Sequence, residues 1–219
     1  MPVETVVLLP GTASDEVFVR SVFAEPLSQV GAVFTAPRVR TLSERLTALE
    51  NASAGHPIVV GGISLGAHVA ALWAVRNPAK CAGLILALPA WTGKPGDAPA
   101  AQAARISARI VTDEGLDTAL QGTTGWLHDE LSRAWRAYGD QLVPHLEEAA
   151  TSEAPTLEEL KTLGVPTGIV GCTDDPVHPI EIAREWADAI PGAVLTTIAL
   201  TAYPHALGRA VQAWQQART

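Results

Sequence analysis

Apolar residues in this chain fall into short β-branched runs that alternate with stretches of helical spacing. Glu4-Thr5-Val6-Val7-Leu8-Leu9 ends at Pro10-Gly11 and reads as a buried strand. A helical pattern through Val17, Phe18, Val22 and Phe23 follows, with Ser14 or Asp15 available as its cap. Gly31–Ala36 is a second strand stopped at Pro37, and Thr41–Asn51 carries Leu42, Leu46 and Leu49 at helical spacing. Ile58–Gly61 is a third strand. A helix over Ala67–Arg76 comes next, ending near Asn77-Pro78, and Gly83–Leu88 is a fourth strand. This β-α-β-α-β-α-β order with short connections predicts a mostly parallel sheet with helices on both faces. Ligands of such sheets sit at the carboxyl ends of the strands. Pro10-Gly11-Thr12, Ser64 and Pro89-Ala90-Trp91 all fall there.

The rhythm breaks between Trp91 and Leu163, where no strand pattern appears. Segments near Ala98–Val111, Asp113–Leu120, Leu127–Ala137 and Asp140–Ala149 are helical, and Thr156-Leu157-Glu158-Glu159 is a capping box. The sheet resumes at Val165–Gly171 and closes with Ala193–Ala199, for about six strands, before a C-terminal helix over Ala206–Gln216. The expected organisation is therefore an α/β core made of residues 1–90 and 155–219, with residues 91–154 inserted over the ligand-binding edge as a helical cap or lid.

Composition narrows the class. With 219 residues, 47% of them hydrophobic, the chain can bury one sizeable core. The net charge of −8 argues against nucleic-acid or anionic-membrane partners and says little about a small-molecule substrate. No apolar stretch is long enough to span a membrane, and Met1-Pro2-Val3-Glu4 lacks the basic start of a signal peptide. Cys81 and Cys172 read as buried thiols of a cytoplasmic protein, and nothing suggests a metal or an organic cofactor.

The chemistry centres on Gly62-Ile63-Ser64-Leu65-Gly66, a serine between glycines at a strand-to-helix junction. This is the pattern of a nucleophile elbow. The turn strains the serine, and Cβ atoms at Gly62 or Gly66 would crowd it. A serine hydroxyl needs a general base, usually histidine, and a carboxylate to orient that base. An acidic pair follows the fifth strand and a histidine follows the last one, giving the order Ser, Asp, His.

At these residues the chain resembles the α/β-hydrolase family over nearly its whole length. The elbow matches the family motif, and Gly171-Cys172-Thr173-Asp174-Asp175-Pro176-Val177-His178-Pro179 looks like its acid loop. Counting back from Pro179 selects Asp175, and counting forward from Gly171 selects Asp174; the anchoring proline favours Asp175. The resemblance implies His205 as base, thirty residues beyond Asp175. It also implies an oxyanion hole from the backbone N–H groups of Leu65 and Thr12, with Ala13 second. The family often has His-Gly where this chain has Pro10-Gly11-Thr12, and its usual first two antiparallel strands have no counterpart here. His178 reads as a loop residue near the acid and His68 as a packing histidine. His56, His128 and His145 belong to no constellation. Trp91, Trp126 and Trp135 are candidates to line the pocket.

The expected activity is hydrolysis of an ester, thioester or lactone of a small to medium organic acid through an acyl-enzyme on Ser64. Acyl transfer, perhydrolysis or C–C bond hydrolysis on the same triad, and non-catalytic small-molecule binding, are the alternatives.

Overall fold

Six parallel strands form one sheet in the order β2-β1-β3-β4-β5-β6 in the computed structural model, which describes residues 4–219. The expectation placed on Met1–Val3, that no leader precedes the first strand, lies outside the described residues. The strands are β1 (Thr5–Leu9), β2 (Val33–Thr35), β3 (Ile58–Ile63), β4 (Cys81–Ala87), β5 (Thr167–Cys172) and β6 (Val194–Ile198). The two antiparallel strands that usually open the family's sheet have no counterpart among the described residues.

Both faces of the sheet are covered, and the side chains divide with the two-residue period of a strand. Val7, Leu9 and Val60 pack into one apolar cluster, with α2 (Leu42–Ala52), α3 (Leu65–Arg76) and α9 (Ile180–Ala189). Val6, Leu8 and Val59 pack into the other, with α1 (Glu16–Gln29) and α10 (Arg209–Gln216). All six residues of β3 are buried, which is why that segment reads as continuously apolar rather than alternating. Each fully buried Leu, Ile or Val in these layers contributes about 1.5–3 kcal/mol relative to exposure. Glycine sets the closest approach. A methyl at Gly168 would overlap the backbone of Trp214, so α10 lies flat on β5 only because that position is glycine.

Two expectations shift. The second strand is shorter than Gly31–Ala36, because it is an edge strand paired only with β1. The C-terminal helix opens as a 3-10 turn, His205–Gly208, before α10 begins.

Between β4 and Pro155 the chain forms four α-helices, α4 (Pro99–Glu114), α5 (Leu116–Leu120), α6 (Gly125–Tyr138) and α7 (Leu142–Thr151). They pack around Ala104, Ala108, Leu120, Trp135, Tyr138 and Leu146, with Ala13 from the loop after β1 completing the cluster. Polar contacts tie this layer to the same loop. Arg133 of α6 binds both oxygens of Asp15 at 2.7 Å, and the Tyr138 hydroxyl donates to the Ser14 carbonyl at 2.8 Å. Asp15 also caps α1, accepting from the Val17 and Phe18 amides. The short helix α8 (Leu157–Leu160) starts on the capping box read from Thr156 and Glu159. No described helix is long and apolar enough to cross a membrane.

Candidate active site

Ser64 stands at the junction of β3 and α3 with φ 52° and ψ −114°, a backbone region that residues with a side chain rarely occupy. The surrounding contacts impose it. A methyl at either Gly62 or Gly66 would run into the carbonyl of Leu9, so the turn is threaded against β1 with no room for Cβ atoms. The Ser64 amide donates to Ala87 of β4 at 2.8 Å, and its carbonyl accepts from His68 at 3.1 Å. The side chain is thus fixed at the carboxyl edge of the sheet, over the first turn of α3. The amides of that turn have no intrahelical acceptor, and the helix dipole favours negative charge there.

Asp175 follows β5. Its Oδ1 accepts from the amides of Val177 and His178 at 2.8 and 3.2 Å, and this tight turn folds His178 back over the carboxylate. His178 Nδ1 then lies 2.8 Å from Asp175 Oδ2, and His178 Nε2 lies 3.0 Å from Ser64 Oγ. With the neutral ring protonated on Nδ1, that nitrogen donates to Asp175 and Nε2 accepts from the Ser64 hydroxyl. The Tyr203 hydroxyl donates to the same Asp175 Oδ2 at 2.9 Å. Burial alone would raise the Asp175 pKa. The hydrogen bond and charge of His178, the Val177 amide and Tyr203 outweigh it and hold the carboxyl well below the usual carboxylate range. Tyr203 is pushed well above the usual phenol range, first by burial and then by the charge of Asp175.

The structure thus joins Ser64 to Asp175 through His178, not through His205. His205 is exposed at the start of its 3-10 turn. The reason is local. The loop after β6 is pinned by the Leu200 amide on Asp174 Oδ1 at 2.6 Å and by Tyr203 on Asp175, so the inward position is taken by the phenol. The chain then enters the 3-10 turn, where His205 is exposed. The signal that could have found His178 was the Asp-Pro-Val-His spacing, which suits a carboxylate accepting from the two amides that follow it. Asp174, the alternative acid, instead receives the Leu200 amide and the Cys172 thiol.

Thr12 and Ala13 lie on the loop packed against the serine, where a methyl added at Gly11 would sit 3.6 Å from Ser64 Cβ. Gly11, Thr12, Ala13 and Ser64 share one cavity, and Leu65 opens α3 directly after the serine. Arg45 of α2 is completely buried behind this loop. It donates to the carbonyl of Arg40 at 2.9 Å and, at 3.5 Å, to that of Gly11.

Trp91 does not line the cavity. The loop after β4 is drawn back by paired backbone bonds between Gly93 and the Ala154–Pro155 segment, and Trp91 packs edge-on against His68 in the core, with ring centroids 4.4 Å apart. His68 is fully buried, and its Nε2 accepts from the Ala90 amide at 2.9 Å. Burial, reinforced by the nearby charge of His178, lowers its pKa to about 3, so it stays neutral as a packing residue.

The cavity above Ser64 has a volume of about 290 Å³. Its walls come from both the sheet edge and helices α4, α6 and α7, with Phe18, Trp126, Leu131, Trp135 and Leu146 as its larger apolar residues. Trp126 lies parallel to Phe18 with centroids 6.2 Å apart and also meets Tyr203 at 6.2 Å. Glu130 is the one carboxylate on the wall, and it is paired with Arg133.

A sequence profile described as "Alpha/beta hydrolase family" matches residues 6–209. No curated protein sequence matches the chain. Among solved structures, a hydrolase from Pseudomonas aeruginosa superposes with a TM-score of 0.73 at 20% identity, over 97% of this chain and 90% of that one. A thermophilic esterase from Thermogutta terrifontis gives 0.69 at 19% identity, over 98% and 87%. A putative non-heme bromoperoxidase from Mycobacterium tuberculosis gives 0.71 at 17% identity, over 99% and 93%. At these identities the likeness is one of fold.

Proposed function

Because the chain belongs to the alpha/beta hydrolase family, we propose that it is a serine hydrolase acting on an ester, thioester or lactone of a small to medium organic acid. The observation that carries this reading is the unbroken hydrogen-bond path from Ser64 Oγ through His178 to Asp175, at 3.0 and 2.8 Å. His178 Nε2 takes the hydroxyl proton as Ser64 attacks the substrate carbonyl. Asp175 holds the ring with Nδ1 protonated and stabilises the imidazolium that forms. The N–H groups of Leu65 and Thr12 receive the tetrahedral oxyanion, the first aided by the α3 dipole. The imidazolium then protonates the leaving oxygen or sulfur, the carbonyl re-forms, and the acyl group remains on Ser64. Water, deprotonated by the same nitrogen, hydrolyses that intermediate and restores the serine.

The helical layer α4–α7 serves as the cap of this site and defines what enters. A cavity of about 290 Å³ lies just below the roughly 300–1,000 Å³ span of ligand pockets. Its aromatic and aliphatic walls suit an uncharged acyl or alkoxy group. The test is active-site labelling with a fluorophosphonate, together with a chain-length series of p-nitrophenyl esters, acyl thioesters and lactones. Labelling at Ser64 and turnover of the shorter acyl groups, both lost in Ser64→Ala, are expected. A folded protein that does not label, or a Ser64→Ala variant with unchanged turnover, would overturn the proposal.

A further inference from the structure

We infer that Tyr203 is a positioning residue of this site, its phenol anchoring Asp175 and drawing part of the carboxylate's charge away from His178, so that it sets the acid limit of the enzyme's working pH. The inference rests on the serine-hydrolase reading above.

The geometry has three parts. Asp175 Oδ1 is occupied by the Val177 and His178 amides, and Oδ2 is shared between His178 Nδ1 at 2.8 Å and the Tyr203 hydroxyl at 2.9 Å. The carboxylate therefore accepts four hydrogen bonds, and its side chain is only 6% exposed. Tyr203 supplies the only one of the four that originates outside the acid loop, so it fixes the carboxylate to the loop after β6. Its ring also lines the cavity and meets Trp126 of α6. One side chain thus touches the acid and the proposed substrate space together.

The electrostatic consequence follows from sharing one oxygen. A donor on Oδ2 stabilises the ionised carboxylate and weakens its pull on the His178 proton. Removing the phenol hydroxyl leaves that charge to the imidazole, which then holds its second proton to higher pH. The other groups around this pair are engaged elsewhere. His68 on α3 is neutral, and Cys172 on β5 has its thiol pKa raised, chiefly by burial. Asp174 in the acid loop is tied to Leu200 and Cys172, and Glu130 on α6 is paired with Arg133. None of them shares Asp175 Oδ2. Tyr203 keeps its proton throughout, since burial and the adjacent carboxylate push it well above the usual phenol range.

The experiment compares wild type with Tyr203→Phe in the pH dependence of kcat/KM for a p-nitrophenyl ester. Only part of the strength of a hydrogen bond to the carboxylate separates the two protonation states. The acid limb is expected to move about one unit to higher pH, which on that limb is about a tenfold loss at fixed pH. KM should change by less than about twofold, because the ring that lines the cavity is kept. Site-specific replacement of Tyr203 by a fluorinated tyrosine, a stronger donor, should move the limb the other way, and provides the readout should Tyr203→Phe fold poorly. An acid limb that stays in place in both variants, while wild type is active and labels at Ser64, overturns this inference alone. A wild-type protein that neither labels nor turns over overturns the parent reading and this one with it.

Discussion

Exchanging each of the two histidines near the carboxyl edge for alanine separates the proposed base from the one the family pattern implies. In the structure His178 Nε2 is 3.0 Å from Ser64 Oγ, and Nδ1 is 2.8 Å from Asp175. His178→Ala removes both bonds. It leaves Ser64 without a proton acceptor and Asp175 with three donors in place of four. Positioned general bases contribute about 10²–10⁴-fold, or roughly 2.7–5.4 kcal/mol in the barrier. The expected result is a loss of that size in kcat, with KM changed little, because the cavity walls remain. His205 is exposed at the start of the 3-10 turn after β6. His205→Ala should leave kcat within about twofold and stability within about 0.5 kcal/mol, as for an ordinary surface change. The assay is steady-state hydrolysis of a p-nitrophenyl ester near pH 8, with free imidazole added to His178→Ala to replace the missing base. A His205→Ala enzyme that loses a hundredfold or more, beside a His178→Ala enzyme near wild type, would refute the assignment and place the working geometry in a different arrangement of the β6 loop.

Other outcomes follow from the packing. Gly66→Ala should cost more than about 3 kcal/mol in urea unfolding or prevent folding, since the added methyl overlaps Leu9, whereas Gly55→Ala, which meets nothing within 4 Å, should be close to neutral. Stability should fall as pH drops below about 6.5. His68 and His145 are both held near pKa 3 in the fold, chiefly by burial, against an ordinary 6.5, so the unfolded chain takes up their protons first. Each contributes a slope of up to about 1.4 kcal/mol per pH unit between those values, and unfolding curves at pH 7, 5.5 and 4.5 should show the decline, shallower in a His145→Phe variant. Asp15→Asn should destabilise at pH 7, because Asp15 caps α1 and binds Arg133. Burial opposes ionisation of Asp15, but Arg133 and the Val17 and Phe18 amides lower its pKa below the ordinary 3.8. The difference between variant and wild type is therefore full above about pH 4 and shrinks as pH falls below the ordinary value, which urea midpoints at pH 7 and 3 would measure.

The sheet was legible because its strands are buried on both faces. Continuous apolar runs such as Ile58–Val60 and Gly83–Leu88 leave little ambiguity of period, and the Pro and Gly after each run mark the carboxyl edge. The edge strand was read too long, since Gly31–Ala36 has the composition of a strand but only one neighbour to pair with. The elbow was equally readable. Its glycines answer a local steric demand, and Ser64 adopts the strained backbone that demand implies. Position after the last strand points to His205, whereas the histidine that reaches Ser64 is placed by local turn chemistry. A family pattern says which loop usually carries the base, but the turn made by Asp175 decides where this chain's imidazole goes. Trp91 was misplaced for a related reason. Its location at a strand end was visible, but the return of the loop to Ala154 and Pro155, which draws the ring into the core, is a contact across more than sixty residues of sequence. The cavity itself was the least legible part. Its walls are amphipathic helices, and their small residues, Ala100, Ala103, Ala104 and Ala134, carry no chemical signature until they face the serine.

Placing acid and base three residues apart changes how the proposed site is put together. In an arrangement with the three side chains on three loops, two long-range registrations must both be correct before the proton path is continuous. Here the carboxylate and imidazole are paired within one turn, and only the His178–Ser64 bond, across 114 residues of sequence, depends on distant segments. That registration is supplied by adjacent strands: β3 pairs with β4 and β4 with β5, all in the buried centre of the sheet. A graft of the Cys172–Pro179 segment would carry the carboxylate and the imidazole together, but it would need a phenol from a second loop to replace Tyr203 on Asp175.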